Sequence, residues 1–279
     1  MVRARALAAA AILALASAGA GSVAAAPARV VSINLCTDQL AMLLAAPGQL
    51  VSVSWLTQDP ETSPVAEAAM AYPANHGGAE EIFLMRPDLV LAGSYTARAS
   101  VSILRRLGVP VIEFAPADSL EEIPARIAQM GAALGREAAA ADLAKAFAAD
   151  LASARRAAEP RPRAALLYAN SYTSGAGTLA DSIVDAAGLD NIGAELGYVG
   201  MARLPLELLI MSRPDLLVEE HRYAAPALAK ETFAHPALGP VKARSEGAPI
   251  ADRDWTCGSP RVVAAVRRLA EAAARLPGR

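Results

Sequence analysis

The feature that most constrains this chain is a phrase it contains twice. Glu80 is followed seven residues later by Pro87 and then Asp88-Leu89-Val90. Glu207 is followed seven residues later by Pro214 and then Asp215-Leu216-Leu217. In both copies an arginine, Arg86 or Arg213, precedes the proline. A residue before proline is pushed out of the helical region. Each phrase therefore reads as a helical turn halted at Arg-Pro and a strand beginning at Asp. A chain that makes the same turn at matched places in its two halves is expected to fold as two similar α/β units, and 279 residues suffice for two of about 130 each.

The rest of the pattern agrees. Val30 to Ile33, Leu50 to Ser54 and Val109 to Phe114 are β-rich runs, and Thr37-Asp38 can cap a helix through Leu44. Val101 to Leu107 predicts a helix ended by Gly108. In the second half Ala164 to Tyr168 predicts a strand, Leu179 to Ala187 a helix closed by Gly188, and Val262 to Leu276 a closing amphipathic helix. Strands alternating with helices imply parallel sheets covered on both faces. Between the halves, Glu137 to Ala158 has no Gly or Pro and is crowded with the best helix formers. Its 22 residues predict one uninterrupted helix of roughly 33 Å, with Leu143, Ala146, Phe147 and Leu151 on one face.

The N-terminus carries its own signal. Arg3 and Arg5 precede an uncharged apolar run from Ala6 to Ala18, then mostly small residues ending in Ala24-Ala25-Ala26. This is the layout of a secretory leader, residues 1–26, with cleavage expected near Ala24 to Ala26; Pro27 disfavours the last site. The run is too short to span a bilayer. Cys36 follows Asn34-Leu35 rather than small residues, so no lipid attachment is expected. Export to a bacterial periplasm as a free protein, expected as a monomer, is the implied location. A net charge of −2 gives no general argument for nucleic-acid binding.

The repeat also carries a resemblance. Arg29-Val30-Val31-Ser32, Ala79-Glu80-Glu81-Ile82 leading to Arg86-Pro87-Asp88-Leu89-Val90, Gly188-Leu189-Asp190-Asn191-Ile192, Ala194-Glu195-Leu196-Gly197 and Ser259-Pro260-Arg261 follow one another in order from Arg29 to Leu276. In this the chain resembles the class III periplasmic substrate-binding proteins, the iron-siderophore and vitamin B12 receptors of ABC importers. The resemblance implies an α/β fold of two Rossmann-like lobes with central parallel sheets, joined by one long backbone helix, with a ligand cleft between them. The lobes would be residues 27–135 and 161–279 and the helix 136–160. It implies a binding protein that captures a ferric chelate or a corrinoid, carries no cofactor of its own, and delivers its ligand to a membrane permease dimer with a cytoplasmic ATPase. It also implies one exposed docking glutamate per lobe, and the matching positions are Glu80 and Glu207.

In open α/β sheets ligands sit beyond the carboxyl ends of the strands, so the loops there are the candidates. Aromatic residues make up only 4% of the chain. Phe83, Phe114 and Phe147 fall inside predicted elements and read as core, whereas Trp55, Tyr95, Tyr172, Tyr223 and Trp255 fall in loops and suit a large, partly flat ligand. Arg203 and Arg222 are candidates for an anionic group. Three readings are open for Cys36 and Cys257: a disulfide, free thiols lining the cleft, or a soft ligand to a metal. The histidines, His76, His221 and His235, do not form the set of three or four ligands a bare-metal receptor needs, so no metal site is expected. The other readings are a haem receptor and a periplasmic enzyme using the same cleft with Cys36 as its candidate group, although no paired general base marks that thiol and no catalytic residue is assigned. Gly175-Ala176-Gly177-Thr178-Leu179-Ala180 matches a dinucleotide fingerprint, but five polar or small residues, Asn170 to Ser174, separate it from its strand.

Overall fold

The computed structural model describes residues 25–96, 98–157, 159–220, 227–248 and 252–276. The leader, apart from its last two residues, and the candidates Arg222, Tyr223 and His221 lie outside the described residues. The first half runs β1 (Val30–Ser32), α1 (Leu35–Leu44), β2 (Leu50–Ser54), α2 (Trp55–Gln58), α3 (Ala66–Ala69), β3 (Ala74–Asn75), α4 (Ala79–Leu84), β4 (Leu89–Gly93), α5 (Arg98–Arg106) and β5 (Val111–Phe114). All five strands are parallel, in the order β3-β2-β1-β4-β5. The order reverses between β1 and β4, which opens a crevice at their carboxyl ends.

Two helices follow, α6 (Ile123–Leu134) and α7 (Glu137–Ala154). The second half contains β6 (Arg163–Leu167), β7 (Tyr172–Ser174), α8 (Leu179–Ala186), β8 (Asp190–Asn191), α9 (Ile192–Glu195), β9 (Met201–Arg203), α10 (Leu206–Ser212), β10 (Leu216–Glu219), α11 (Gly239–Arg244), β11 (Glu246–Gly247) and α12 (Val263–Ala274). Its parallel sheet has the order β11-β10-β6-β8, and β7 pairs with β9 as an antiparallel ribbon. Gly175 is a glycine for that ribbon. A Cβ there would lie 2.2 Å from the carbonyl oxygen of Tyr198, so the glycine serves strand approach and not a phosphate.

Alternation along the strands explains the layers. Val30 and Leu166 point into one large core, while their neighbours Val31 and Leu167 point to opposite faces, each covered by a cluster of its own. The large core is continuous across the two halves. It takes Val30 and Leu91 from the first sheet, Leu166 and Leu216 from the second, Phe147 and Leu151 from α7, and Leu269 from α12.

Two expectations are corrected. The long helix ends at Ala154 rather than Ala158, because Arg155 turns to an extended backbone and the Arg156 N–H goes to the Ala186 carbonyl at 3.0 Å instead of extending the helical ladder. Phe83 is not core: Ile82 takes the inward position of α4, fully buried, and Phe83 is left 45% exposed, whereas Phe114 and Phe147 are buried.

Helices α6 and α7 form a hairpin across the left-handed cap residue Gly135. Ile123, Ile127, Met130 and Leu134 recur on one face of α6 and are fully buried. The crossing is close: a Cβ on Gly131 would meet the Ala140 Cβ at 2.3 Å. Alanine in place of glycine in an open helix would be favoured by about 1 kcal/mol. Here overpacking, typically about 1–3 kcal/mol, opposes and outweighs that gain. Gly131→Ala is therefore expected to lower the urea midpoint, and adding Ala140→Gly should recover part of the loss. A Gly131→Ala protein as stable as the parent would contradict this packing.

Candidate functional site

The carboxyl ends of β1, β4 and β5 and those of β6, β7 and β10, with the start of α8, face a trough between the halves. On the first-half side a cavity of about 150 Å³ is lined by Asn34, Cys36, Thr37, Tyr95, Thr96, Phe114, Arg126 and Thr256 among others. On the second-half side a space of about 420 Å³ is lined by Asp118, Tyr168, Ser174, Thr178, Met201, Glu220, Trp255 and Thr256. Thr256 borders both, so they adjoin as one trough whose larger part alone falls within the roughly 300–1,000 Å³ of small-molecule sites.

Local chemistry positions these groups. Asn34 caps α1, its Oδ1 accepting from the N–H groups of Cys36 at 2.9 Å and Thr37 at 3.3 Å, while its Nδ2 donates to Thr96 Oγ1 at 2.8 Å. One residue thereby ties the loop after β1 to the loop after β4. Across the trough, Ser174 Oγ donates to the Tyr168 hydroxyl at 3.2 Å, and Glu220 Oε2 accepts from the Ala169 N–H at 2.8 Å. The described walls present hydroxyls, an amide, apolar surface, two carboxylates and one guanidinium.

Cys36 and Cys257 are joined by a disulfide across 221 residues, with Cα atoms 5.1 Å apart, inside the range a bridge requires. This overturns the free-thiol and soft-metal-ligand readings, and a bridged sulfur supplies no thiolate nucleophile. The bond holds the segment before α12 onto the first half. Ser259 Oγ donates to Gln39 Oε1 at 2.9 Å, and Arg253 Nη1 donates to the Pro60 carbonyl in the same contact. Among the described residues no group of three His, Cys, Asp or Glu side chains is placed to hold a metal ion.

The other expected residues divide. Tyr95 lines the trough and is exposed. Trp255 lines it too, but is only 6% exposed and belongs to the core, so it offers an edge rather than an open platform. Trp55 borders neither part. It opens α2, is 46% exposed, and stacks on His76 with ring centroids 6.2 Å apart. Tyr172 and Arg203 sit on the β7–β9 ribbon outside the trough lining, and Arg203 Nε is spent on the Asn170 carbonyl at 3.3 Å. Sequence reasoning passed over Asn34, Arg126, Tyr168 and Thr256. Tyr168 closes the predicted strand beyond Ala164, and Thr256 adjoins Cys257, so strand ends and cysteine neighbours were the available signals.

Comparison with known proteins agrees with this geometry. The chain belongs to the periplasmic binding protein family, which matches residues 30–247. A cobalamin-binding protein of Halobacterium salinarum is 28% identical over 198 residues, covering 69% of this chain and 53% of that protein, so the match spans about half of its length. A vitamin B12-binding protein of Yersinia pestis is 24% identical over 261 residues, covering 91% of this chain and 89% of that one. Among solved structures, an apo periplasmic heme-binding protein from Roseiflexus has a TM-score of 0.72 at 24% identity, covering 88% of this chain and 98% of that one. The periplasmic vitamin B12 binding protein of Vibrio cholerae has a TM-score of 0.65 at 19% identity, covering 91% and 99%. No helix among the described residues is long and apolar enough to cross a membrane.

Beneath the trough, Asp38 is fully buried. Its Oδ2 accepts from the Ser54 N–H at 2.9 Å and the Thr57 hydroxyl at 2.5 Å, tying α1 to β2 and α2. Burial pushes its carboxyl from an ordinary 3.8 up to about 8, only partly opposed by hydrogen bonds from Ser32, Thr57 and Ser54. The folded state thus holds a proton that the unfolded state has released. The stability linked to this group is fully present below about pH 4 and is lost as pH rises through about 8. Asp38→Asn, which cannot ionise, should show a shallower fall of urea midpoint between pH 5 and 9 than the parent. Equal slopes would show that Asp38 does not titrate in that window.

Proposed function

We propose that this chain is the periplasmic solute-binding component of an ABC importer and that its ligand is a corrinoid of the cobalamin type. The single observation that carries the choice of ligand is the charge of the described trough walls. They combine hydroxyl and amide groups with two carboxylates, Asp118 and Glu220, against one guanidinium, Arg126. A polyanionic ferric chelate calls for several converging cations. A large amide-bearing ring with an apolar face is better matched to Asn34, Tyr95, Ser174 and Thr256 beside Phe114 and Trp255. The cobalamin- and vitamin B12-binding relatives support the same ligand class.

In this reading the leader is removed on export by cleavage near Ala24 to Ala26, and the mature chain works as a free monomer with no resident cofactor. Its lobes are residues 27–135 and 161–279, joined through 136–160, and the ligand is handed on chemically unchanged to a permease dimer and its ATPase. Glu80 and Glu207 are the docking acids. Both are exposed. Neither has a hydrogen bond or ion pair among the described residues, while the adjacent Glu81 is engaged by the His76 N–H at 2.8 Å.

Cyanocobalamin should quench intrinsic fluorescence through Trp255 and raise the melting temperature, the stabilisation growing as RT ln(1 + [L]/Kd), about 2.7 kcal/mol at a hundredfold excess over Kd. The quench should persist in Trp55→Phe and disappear in Trp255→Phe. Response to a ferric hydroxamate, a ferric catecholate or haem with none to cyanocobalamin would replace the ligand. Silence toward all four would reject both the corrinoid and the chelate. For docking, the Glu80→Lys, Glu207→Lys double variant should keep cyanocobalamin affinity within a few-fold and lose ligand-stimulated ATP hydrolysis by the reconstituted importer. Undiminished hydrolysis would remove both acids from the interface.

A further inference from the structure

The two copies of the repeated phrase agree in space as well as in spelling. Ile82 of α4 and Leu209 of α10 occupy equivalent positions and are both fully buried. Arg86 and Arg213 both adopt the left-handed backbone, at φ 52° and 48°. Asp88 accepts from the Arg29 N–H at 2.9 Å, just before β1, and Asp215 accepts from the Arg163 N–H at 2.8 Å, at the start of β6. Each phrase is therefore pinned to the first residues of a central strand, by the same bond, beneath the same turn.

On that shared frame two large apolar side chains project. Leu84 is 72% exposed and Met211, its equivalent, is 73% exposed. A single exposed apolar residue needs no explanation. A matched pair at equivalent positions of an internal repeat does, because a leucine and a methionine share apolar bulk and little else. Each lies four residues after a free carboxylate, Glu80 or Glu207, hence on the same helical face about 5–6 Å from it between Cβ atoms. Beside Leu84 the exposed Phe83 widens the apolar surface, in a shallow groove with Arg86, Pro87 and Val109.

We infer that Leu84 and Met211 are a pair of apolar anchors that seat this protein on a two-fold symmetric membrane partner, each entering an apolar socket with a cation at its rim. The inference rests on the importer reading and names the partner as its permease dimer. A duplicated surface is what a dimer with two equivalent sockets engages, one copy per protomer. The charges and the apolar groups divide the work. Glu80 and Glu207 would set orientation and association rate, which salt weakens, while the buried anchors would set the lifetime of the complex, which salt leaves largely alone.

The test measures binding of the ligand-loaded protein to the cognate permease–ATPase complex in nanodiscs, at low and at high salt. Leu84→Ser, Met211→Ser is expected to keep the parent's melting temperature and cyanocobalamin affinity within two-fold. Its dissociation from the permease should be at least ten-fold faster at both salt concentrations. The Leu84→Gln, Met211→Gln pair should behave alike and guards against a local effect of serine on short helices. Glu80→Lys, Glu207→Lys should act on the association rate, and chiefly at low salt. Unchanged dissociation in both anchor variants, with the glutamate variant impaired, would overturn the anchors while leaving the docking acids in place. Unchanged binding in all three would overturn the docking surface as a whole.

Discussion

The structure depends on one apolar core that does not stop at the boundary between its halves. Phe147 and Leu151 of α7 and Leu269 of α12 pack into the same cluster as Val30 and Leu91 of the first sheet and Leu166 and Leu216 of the second. Burying each such side chain is worth about 1.5–3 kcal/mol. Opening the halves widely would separate surfaces that are each stabilised by the other. The carboxyl ends of both sheets are thus held facing one gap, and large hinge motion is disfavoured. The Cys36–Cys257 bridge adds a second tie beside the gap itself. In the chain-entropy account a loop of that length stabilises the fold by up to about 5 kcal/mol. The disulfide fixes the segment bearing Trp255 and Thr256 to the first half, while both residues line the second-half side of the trough.

A buried polar device repeats at the ends of two edge strands. Asn75, at the end of β3, is buried; its Nδ2 donates to the Ser32 carbonyl and the Ser52 hydroxyl, both at 2.9 Å, and its Oδ1 accepts from the Gly77 N–H. Asn191, at the end of β8, donates to the Ser174 carbonyl and to Asp181 Oδ1, both at 2.9 Å, and accepts from the Gly193 N–H at 3.0 Å. Leaving such groups unpaired would cost about 1–3 kcal/mol each. Each asparagine therefore fixes the turn of chain that follows a short edge strand, Asn191 by capping α9, which two ladder positions alone could not do. These two strand ends stand on satisfied polar groups rather than on further apolar packing.

Much of this was legible before the structure. Pro and Gly marked where helices stop, alternation marked the buried strands, and the matched Glu-to-Pro spacing announced the duplication. What was not legible was the face on which a residue falls. Phe83 sits in a helix and points to solvent because Ile82 holds the inward position; Trp255 sits in a turn and is buried because the disulfide draws that turn onto the first half. Helix α6 was hidden by Pro124 and Gly131, residues that usually interrupt. Here the proline lies in the first turn, where a missing N–H costs nothing, and the glycine lies at a helix crossing too close for any side chain. Arg203 has the chemistry for an anion, but a carbonyl two strands away in sequence claimed it first. Such competition between partners is settled by tertiary structure and leaves no mark on a single chain.

The contrast between the two surfaces is the deepest consequence of the duplication. On the α4 and α10 faces the halves have stayed alike: acid, buried aliphatic, exposed apolar side chain and left-handed arginine recur in register. In the trough they have diverged. One wall carries Asn34, Tyr95 and Arg126, and the other Tyr168, Ser174 and Glu220. A fold built from two similar units has no physical need to keep one face paired and let another drift, because either face can accept substitutions without disturbing the core. The pattern follows if the first face meets something two-fold symmetric and the second meets something with no symmetry at all. A dimeric permease is of the first kind and a single corrinoid, with its different faces and edges, of the second. The geometry of the duplication therefore bears on both halves of the proposed function at once.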